Sequence, residues 1–169
     1  MAATYEAIAT VTVGSGGAAS IEFTSIPGTY TDLQILLSGR STSVNPQENL
    51  MIELNGSSAN FTRRALEGDG VTTPYSYSGS TGLIAYTNGD GATASTFGNA
   101  SIYIPNYAGS NYKSISTDAV EETNASTAYM QLTAVLWSDT AAITSIKLKP
   151  AANNFMQYSS ATLYGIKNS

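Results

Sequence analysis

Apolar and polar residues alternate along most of this chain, in short segments separated by turn residues. The segment 33–37 places Leu, Ile and Leu at alternate positions, and the segment 50–54 repeats this spacing. A period of two is the spacing of side chains on one face of a β-strand. Turn signals such as Pro27-Gly28 and Asn55-Gly56 follow at short intervals. We count eight to ten strands and no convincing helix, which predicts an all-β antiparallel β-sandwich with a jelly roll as the leading topology.

The length of 169 residues predicts a single domain over residues 1–169. The stretch 67–95 departs from the alternation, because it contains six of the 15 glycines together with three tyrosines. This composition predicts a long Gly/Tyr-rich loop with one short strand at residues 83–86. Tyr75, Tyr77 and Tyr86 are its candidate exposed binding residues, since aromatic rings stack on sugars; a structural role for them is the favoured alternative.

Reactive side chains are scarce. The chain has no His and no Cys, and 11% of its residues are charged. This composition excludes a Ser-His-Asp triad and a cysteine nucleophile. Glu121 and Glu122 are adjacent, so on a strand they point to opposite faces and cannot flank one glycosidic bond. We therefore expect a non-enzymatic protein with no catalytic residue and no cofactor, and a glycosidase built from other carboxylates is a distant third hypothesis.

Two turns, 68–70 and 88–91, resemble fragments of calcium-binding loops. The regular oxygen ligands and terminal Glu of an EF-hand are missing from both. Turn chemistry accounts for these residues, so no metal site is predicted, although a surface cation stays open.

The net charge and the lengths of the apolar runs limit the partners that this chain is expected to bind. Seven basic residues face twelve acidic ones, for a net charge of −5, which argues against a nucleic-acid-binding surface. No apolar run approaches the ~20 residues of a membrane-spanning helix. Neither nucleic acid nor membrane is therefore an expected partner.

Both faces of the segment 128–137 are apolar. Positions 130, 132, 134 and 136 carry Met, Leu, Ala and Leu. The opposite face carries Tyr129, Val135 and Trp137 together with Gln131 and Thr133, and is too apolar to face solvent. Leu36 likewise lies opposite the apolar face of its own strand. A loop covering these residues is one explanation, and a subunit interface is the other, because aromatic residues are enriched at interfaces. The candidate interface residues are Leu36, Tyr129, Val135 and Trp137, with Trp137 or Val135 expected at an intersubunit contact.

Short motifs carry a resemblance to a known group of proteins. They are the segments 8–13 and 21–33, the segment 102–113 (Ile-Tyr-Ile-Pro-Asn-Tyr-Ala-Gly-Ser-Asn-Tyr-Lys) and the closing Ala-Thr-Leu-Tyr-Gly-Ile of 161–166. Together they resemble small β-sandwich virion proteins of tailed bacteriophages, particularly those of marine phages. The resemblance implies a virion location and a role in head decoration, cement, or a fibre or tail appendage. Neither motif is catalytic, so no functional residue carries over.

The leading hypothesis is a capsid decoration or cement protein that acts through intersubunit interfaces. Its expected partners are other capsid or tail proteins and further copies of itself, with a homotrimer favoured. The alternative is a receptor-binding module on a tail or fibre, which would bind a host-surface glycan through the tyrosines of 67–95.

Overall fold

The structure is a computed structural model that describes residues 4–124 and 128–167. Within these ranges the chain forms twelve strands and no helix, and accordingly no helix capable of crossing a membrane. In chain order the strands are β1 (Tyr5–Thr12), β2 (Ile21–Phe23), β3 (Asp32–Gly39), β4 (Gln47–Leu54), β5 (Phe61–Gly68), β6 (Tyr75–Gly79), β7 (Leu83–Asn88), β8 (Gly98–Ile104), β9 (Lys113–Glu121), β10 (Tyr129–Trp137), β11 (Ile146–Pro150) and β12 (Ser160–Ile166).

The strands form two antiparallel sheets. The larger sheet has eight strands in the order β1-β12-β3-β8-β9-β10-β5-β6, and the smaller has four in the order β2-β11-β4-β7. Pairing between strands that are distant in sequence, such as β1 with β12, brings the first and last strands together in one sheet. The prediction of an all-β sandwich is confirmed, although the described residues hold more strands than the eight to ten expected.

The core lies between the two sheets. Leu33 and Ile35 of β3 are fully buried, as are Leu50 and Leu54 of β4, and the intervening residues are more exposed. The period-2 pattern therefore supplies one buried face from each sheet. Phe155, on the segment before β12, is also fully buried and belongs to the same hydrophobic cluster.

The prediction of a long loop over 67–95 is wrong, although the one strand expected within it, at residues 83–86, is confirmed by β7. This stretch contains the end of β5, all of β6 and all of β7. The alternating Tyr-Ser-Tyr-Ser of β6 pairs with β5, with Ser76 opposite Leu66, because alternating Tyr and Ser fits a half-buried strand well. Gly82 lies between β6 and β7, where a Cβ atom would come within 2.5 Å of the carbonyl oxygen of Ile52. The glycine here allows close backbone contact between strands.

A buried arginine holds the segment that connects β7 to β8. Arg40 follows β3, and its guanidinium donates to four backbone carbonyl oxygens, those of Asp90 (3.2 Å), Ala92 (3.2 Å), Thr93 (2.9 Å) and Thr96 (2.9 Å). The Asp90 carboxylate lies 3.4 Å from the same guanidinium. These bonds fold the segment against the core, which the glycine content did not reveal.

Candidate interaction surface

The structure reverses the predicted orientation of β10. Trp137 and Val135 are each 1% exposed and belong to the core between the sheets. Trp137 stacks on Phe61 of β5 with ring centroids 6.5 Å apart, and Val135 lies opposite Ile115 of β9. The expectation that Val135 or Trp137 lies at an intersubunit contact is therefore wrong, because neither side chain reaches the surface.

The other face of β10 is the exposed one. Met130 is 64% exposed and Leu132 57%, and Leu66, the register partner of Leu132 on β5, is 50% exposed. Large apolar side chains that adjoin one another at the surface mark binding sites more often than scattered ones do. We call this region the outer patch, and define it by Arg64, Leu66, Asp118, Met130, Leu132 and Ala134.

Leu36 lies on the same face of the sheet. Register pairing joins five residues in one row across β3, β8, β9, β10 and β5, namely Leu36, Ser101, Asp118, Leu132 and Leu66. Leu36 is nearly half exposed, as its candidate role requires. The row places Leu36 three strands from Leu132, with the polar Ser101 and Asp118 between them.

Two shallow grooves occupy the outer patch. Their volumes are about 340 and 370 Å³, and both are lined by Leu66 and Leu132. Asp118 and Met130 line the first groove, while Arg64 lines the second. The grooves therefore adjoin along the two leucines and form one continuous depression on the sheet.

Two opposite charges flank the leucines. Arg64 lies on β5 opposite Ala134, and Asp118 lies on β9 opposite Leu132. The Arg64 guanidinium donates to the carbonyl oxygen of Arg63 at 2.8 Å. Within residues 4–124 and 128–167, neither Arg64 nor Asp118 takes part in an ion pair. Both charges are thus available to a partner.

The tyrosines expected in an exposed loop pack instead against strands. Tyr75 and Tyr77 lie on β6, with ring centroids 6.2 Å apart, and Tyr75 is the more exposed of the two. Tyr86 lies on β7 and contacts Tyr129 edge to face at 5.4 Å. Tyr77, Tyr86 and Tyr129 are half-buried, so of these four rings Tyr75 offers the largest surface to a ligand.

A carboxylate joins these aromatic side chains. Glu67 is buried on the inner side of β5, and its Oε1 accepts hydrogen bonds from the Tyr77 hydroxyl and the Gln131 amide. Gln131 Oε1 accepts from the backbone N–H of Tyr86 at 2.7 Å. The Glu67 carboxylate raises the pKa of Tyr75 by hydrogen bonding, while desolvation is the main cause that raises the pKa of Tyr77. The cluster ties β5, β6, β7 and β10 together.

A second buried carboxyl group is that of Glu121, which lies at the end of β9. This residue is 1% exposed, and neither of its side-chain oxygens has a hydrogen-bond partner among residues 4–124 and 128–167. Desolvation, followed by the charge of Glu122, raises the pKa of Glu121 to about 8. The side chain is therefore mostly protonated at neutral pH.

In both acidic turns, the aspartate side chain already has partners within the protein. Asp69 accepts hydrogen bonds from the N–H groups of Val71 and Thr72 at 3.0 and 2.7 Å, and these bonds lower its pKa. Asp90 is held by Arg40. Across the described parts of the chain, no three metal-ligating side chains come together.

No protein-family model matches this chain, and no curated protein sequence is significantly similar to it.

Sequence reasoning missed Leu66 and Leu132 as surface residues. Alternation on β10 separates two faces without indicating which is inside. The neighbouring strand β9 carried the signal: Ser114, Ser116 and Asp118 alternate with Ile115 and Ala119. In the hairpin, the polar set lies opposite Leu132 and its neighbours, so the polar side of β9 marks the outer side of β10.

Proposed function

We propose that this protein is a non-enzymatic structural protein of a tailed-phage particle, a capsid decoration or cement protein that binds neighbouring subunits through the outer patch. The observation that carries the proposal is the exposure of Leu66, Met130 and Leu132 side by side on one sheet. The phage setting is supported by the resemblance of the sequence motifs.

The energetics favour a binding role for these side chains. A fully buried Leu or Met gains about 1.5–3 kcal/mol over an exposed one, so burying the exposed half of each contributes roughly 1 kcal/mol. Three neighbouring side chains are enough to form the apolar centre of an interface, with Arg64 and Asp118 at its rim.

The strand order supports the jelly roll as the topology of this proposed virion protein. We interpret the β8–β9 hairpin as an insertion into a jelly roll, and the terminal strands β1 and β12 as additions to its larger sheet. The remaining eight strands, β2 to β7 with β10 and β11, then pass between the two sheets in the sequence that a jelly roll follows. On this interpretation, the hairpin widens the larger sheet and stands between β3, which carries Leu36, and β10.

Incorporation into particles tests the proposal. We expect purified particles to contain the wild-type protein in high copy number, and Leu132→Glu to reduce that number strongly, because a carboxylate in the interface centre must be desolvated. Val44→Glu is the matched control, since Val44 is equally apolar and highly exposed but lies in a loop outside the patch. Quantitative mass spectrometry of the particles measures the copies, and circular dichroism checks that both variants fold.

Absence of the wild-type protein from particles would overturn the proposal. So would equal incorporation of the Leu132 and Val44 variants. A low copy number that still depends on Leu132 would move the protein from the head to the tail or fibre.

The second candidate, a carbohydrate-binding module of a tail or fibre, is favoured by the exposed ring of Tyr75 beside Tyr77 on the edge strand β6. Binding of the protein to a glycan array, lost in Tyr75→Ala and retained in Tyr158→Ala, would support it. Tyr158 is a suitable control because it is also exposed but lies far along the chain, next to β12. Lack of any glycan binding would exclude this candidate.

A further inference from the structure

We propose that the outer patch binds a second copy of this chain about a two-fold axis, so that Arg64 of each copy pairs with Asp118 of the other. This inference rests on the proposed function, because it names the partner of the same surface. In the pair, Leu66 of each copy packs on Leu132 of the other, and the four leucines form the centre of the contact.

The first step is the placement of the two charges. Arg64 and Asp118 lie on either side of β10, on β5 and β9, and are offset by two residues along the strands. The midpoint between them falls on β10 between Leu132 and Ala134. A positive and a negative group therefore lie at equal distances from the centre of the patch, each without an ion-pair partner in the described chain.

The second step is the symmetry. When two copies meet face to face, a two-fold axis in the plane of contact makes residue i meet residue j while j meets i. An axis through the midpoint, at right angles to the line from Arg64 to Asp118, superposes each arginine on the other copy's aspartate. One pair of residues in the sequence then gives two ion pairs in the dimer.

The same axis also brings apolar residues of the two copies into contact. With strands about 4.8 Å apart and a rise of about 3.4 Å per residue, it carries Leu66 onto the other copy's Leu132, beside Met130. The strands of the two copies then cross at about 70°, by the same spacings. This angle is close to the orthogonal class of sheet packing, so the charge pairing and the sheet packing agree.

Charge complementarity selects a second copy over an unrelated protein. The patch supplies both the cation and the anion that its own charges need, at mirrored positions. Sliding the copies by one residue pair would place Arg64 over an apolar side chain and leave Asp118 unpaired. Such a misplacement costs several kcal/mol when a charge is buried, so the register of the contact is specified.

Sedimentation equilibrium of the purified full chain tests the dimer. We expect Arg64→Asp and Asp118→Arg each to weaken dimerisation by about tenfold or more, because each change places like charges together. The double variant, with both changes, restores the wild-type constant, since the two ion pairs re-form with reversed polarity. Lys167→Asp is the matched control for Arg64→Asp: it makes the same change in net charge but lies next to β12, paired with Glu6. Circular dichroism confirms that all four variants fold.

Three results would overturn the dimer: a wild-type chain that stays monomeric at high concentration, an odd-numbered oligomer such as a trimer, or a double variant no better than the single ones. None of these three results contradicts the proposed function. A monomer in solution that still enters particles through Leu132 would exclude the dimer and leave the structural role intact. If the double variant restores the dimer but the protein is absent from particles, the dimer is supported and the structural role in the particle is excluded.

Discussion

Glu121 places a carboxyl group inside the protein, and no group in the described part of the chain donates a hydrogen bond to either of its oxygens. A buried carboxylate without a partner is far less stable than one in water, whereas the protonated acid is tolerated. This is why desolvation raises the pKa of Glu121 to about 8. Glu67, also buried, has one oxygen, Oε1, that accepts hydrogen bonds from Tyr77 and Gln131.

Glu121 predicts a pH dependence of stability. The pKa of Glu121 rises from an ordinary value of 4.5 to about 8 on folding, so the native state holds a proton that the unfolded chain releases. The stabilisation is complete below pH 4.5 and is lost as the pH rises towards about 8. The loss amounts to roughly 3 kcal/mol at pH 7.

Urea unfolding of Glu121→Gln between pH 5 and pH 8, a window inside about 4.5 to 8, checks this. We expect the variant to lose most of the pH slope, because an amide does not ionise. Glu122→Gln is the control: Glu122 is exposed, and its removal should leave most of the slope. An unchanged slope in Glu121→Gln would show that other groups cause it.

At the scale of elements, the strands differ in how far their own residues specify them. β3 and β4 alternate strongly, and both were predicted, because period-2 burial is a local property of an extended chain. β6 was missed, since its Tyr and Ser residues are compatible with a loop and its pairing with β5 supplies the order. The β7–β8 connection depends on Arg40, which comes from another part of the chain.

The arginine contact predicts a local loss of order. Replacing Arg40 by Met removes a donor from four carbonyl oxygens, of which that of Thr93 still accepts from Thr96. We expect destabilisation by about 3 kcal/mol because the guanidinium is buried. Hydrogen exchange should increase first in residues 89–97. Lys167→Met is the control: it removes a surface pair with Glu6 and should change the stability little, because exposed ion pairs contribute little. Unchanged exchange in 89–97 would contradict the role of Arg40.

At the scale of the whole molecule, both sheets contribute to one core. Ile35 and Ile102 of the larger sheet belong to the same buried cluster as Ile52 and Leu148 of the smaller one. Neither sheet can separate without exposing the apolar face of the other. The molecule should therefore unfold as a unit.

Trp137 reports on this unit, because it is the single tryptophan of the chain and lies in the core. We expect its fluorescence and the far-ultraviolet circular dichroism to change at the same urea concentration, and its emission to be blue-shifted in the native state. Phe61→Leu, which removes the ring that stacks on Trp137, should move both transitions together to lower urea. Two separate transitions would mean that the sheets unfold independently.

The sequence by itself determined that this chain forms strands with two distinct faces, because alternation is a property of neighbouring residues. It also indicated Leu36 as an exposed apolar side chain. It did not determine which face of β10 is buried, since both faces are apolar and the choice depends on partners far along the chain. The tertiary structure decided this: Phe61 of β5 and Ile115 of β9 lie beside Trp137 and Val135, so their contact with the core leaves Leu66 and Leu132 at the surface.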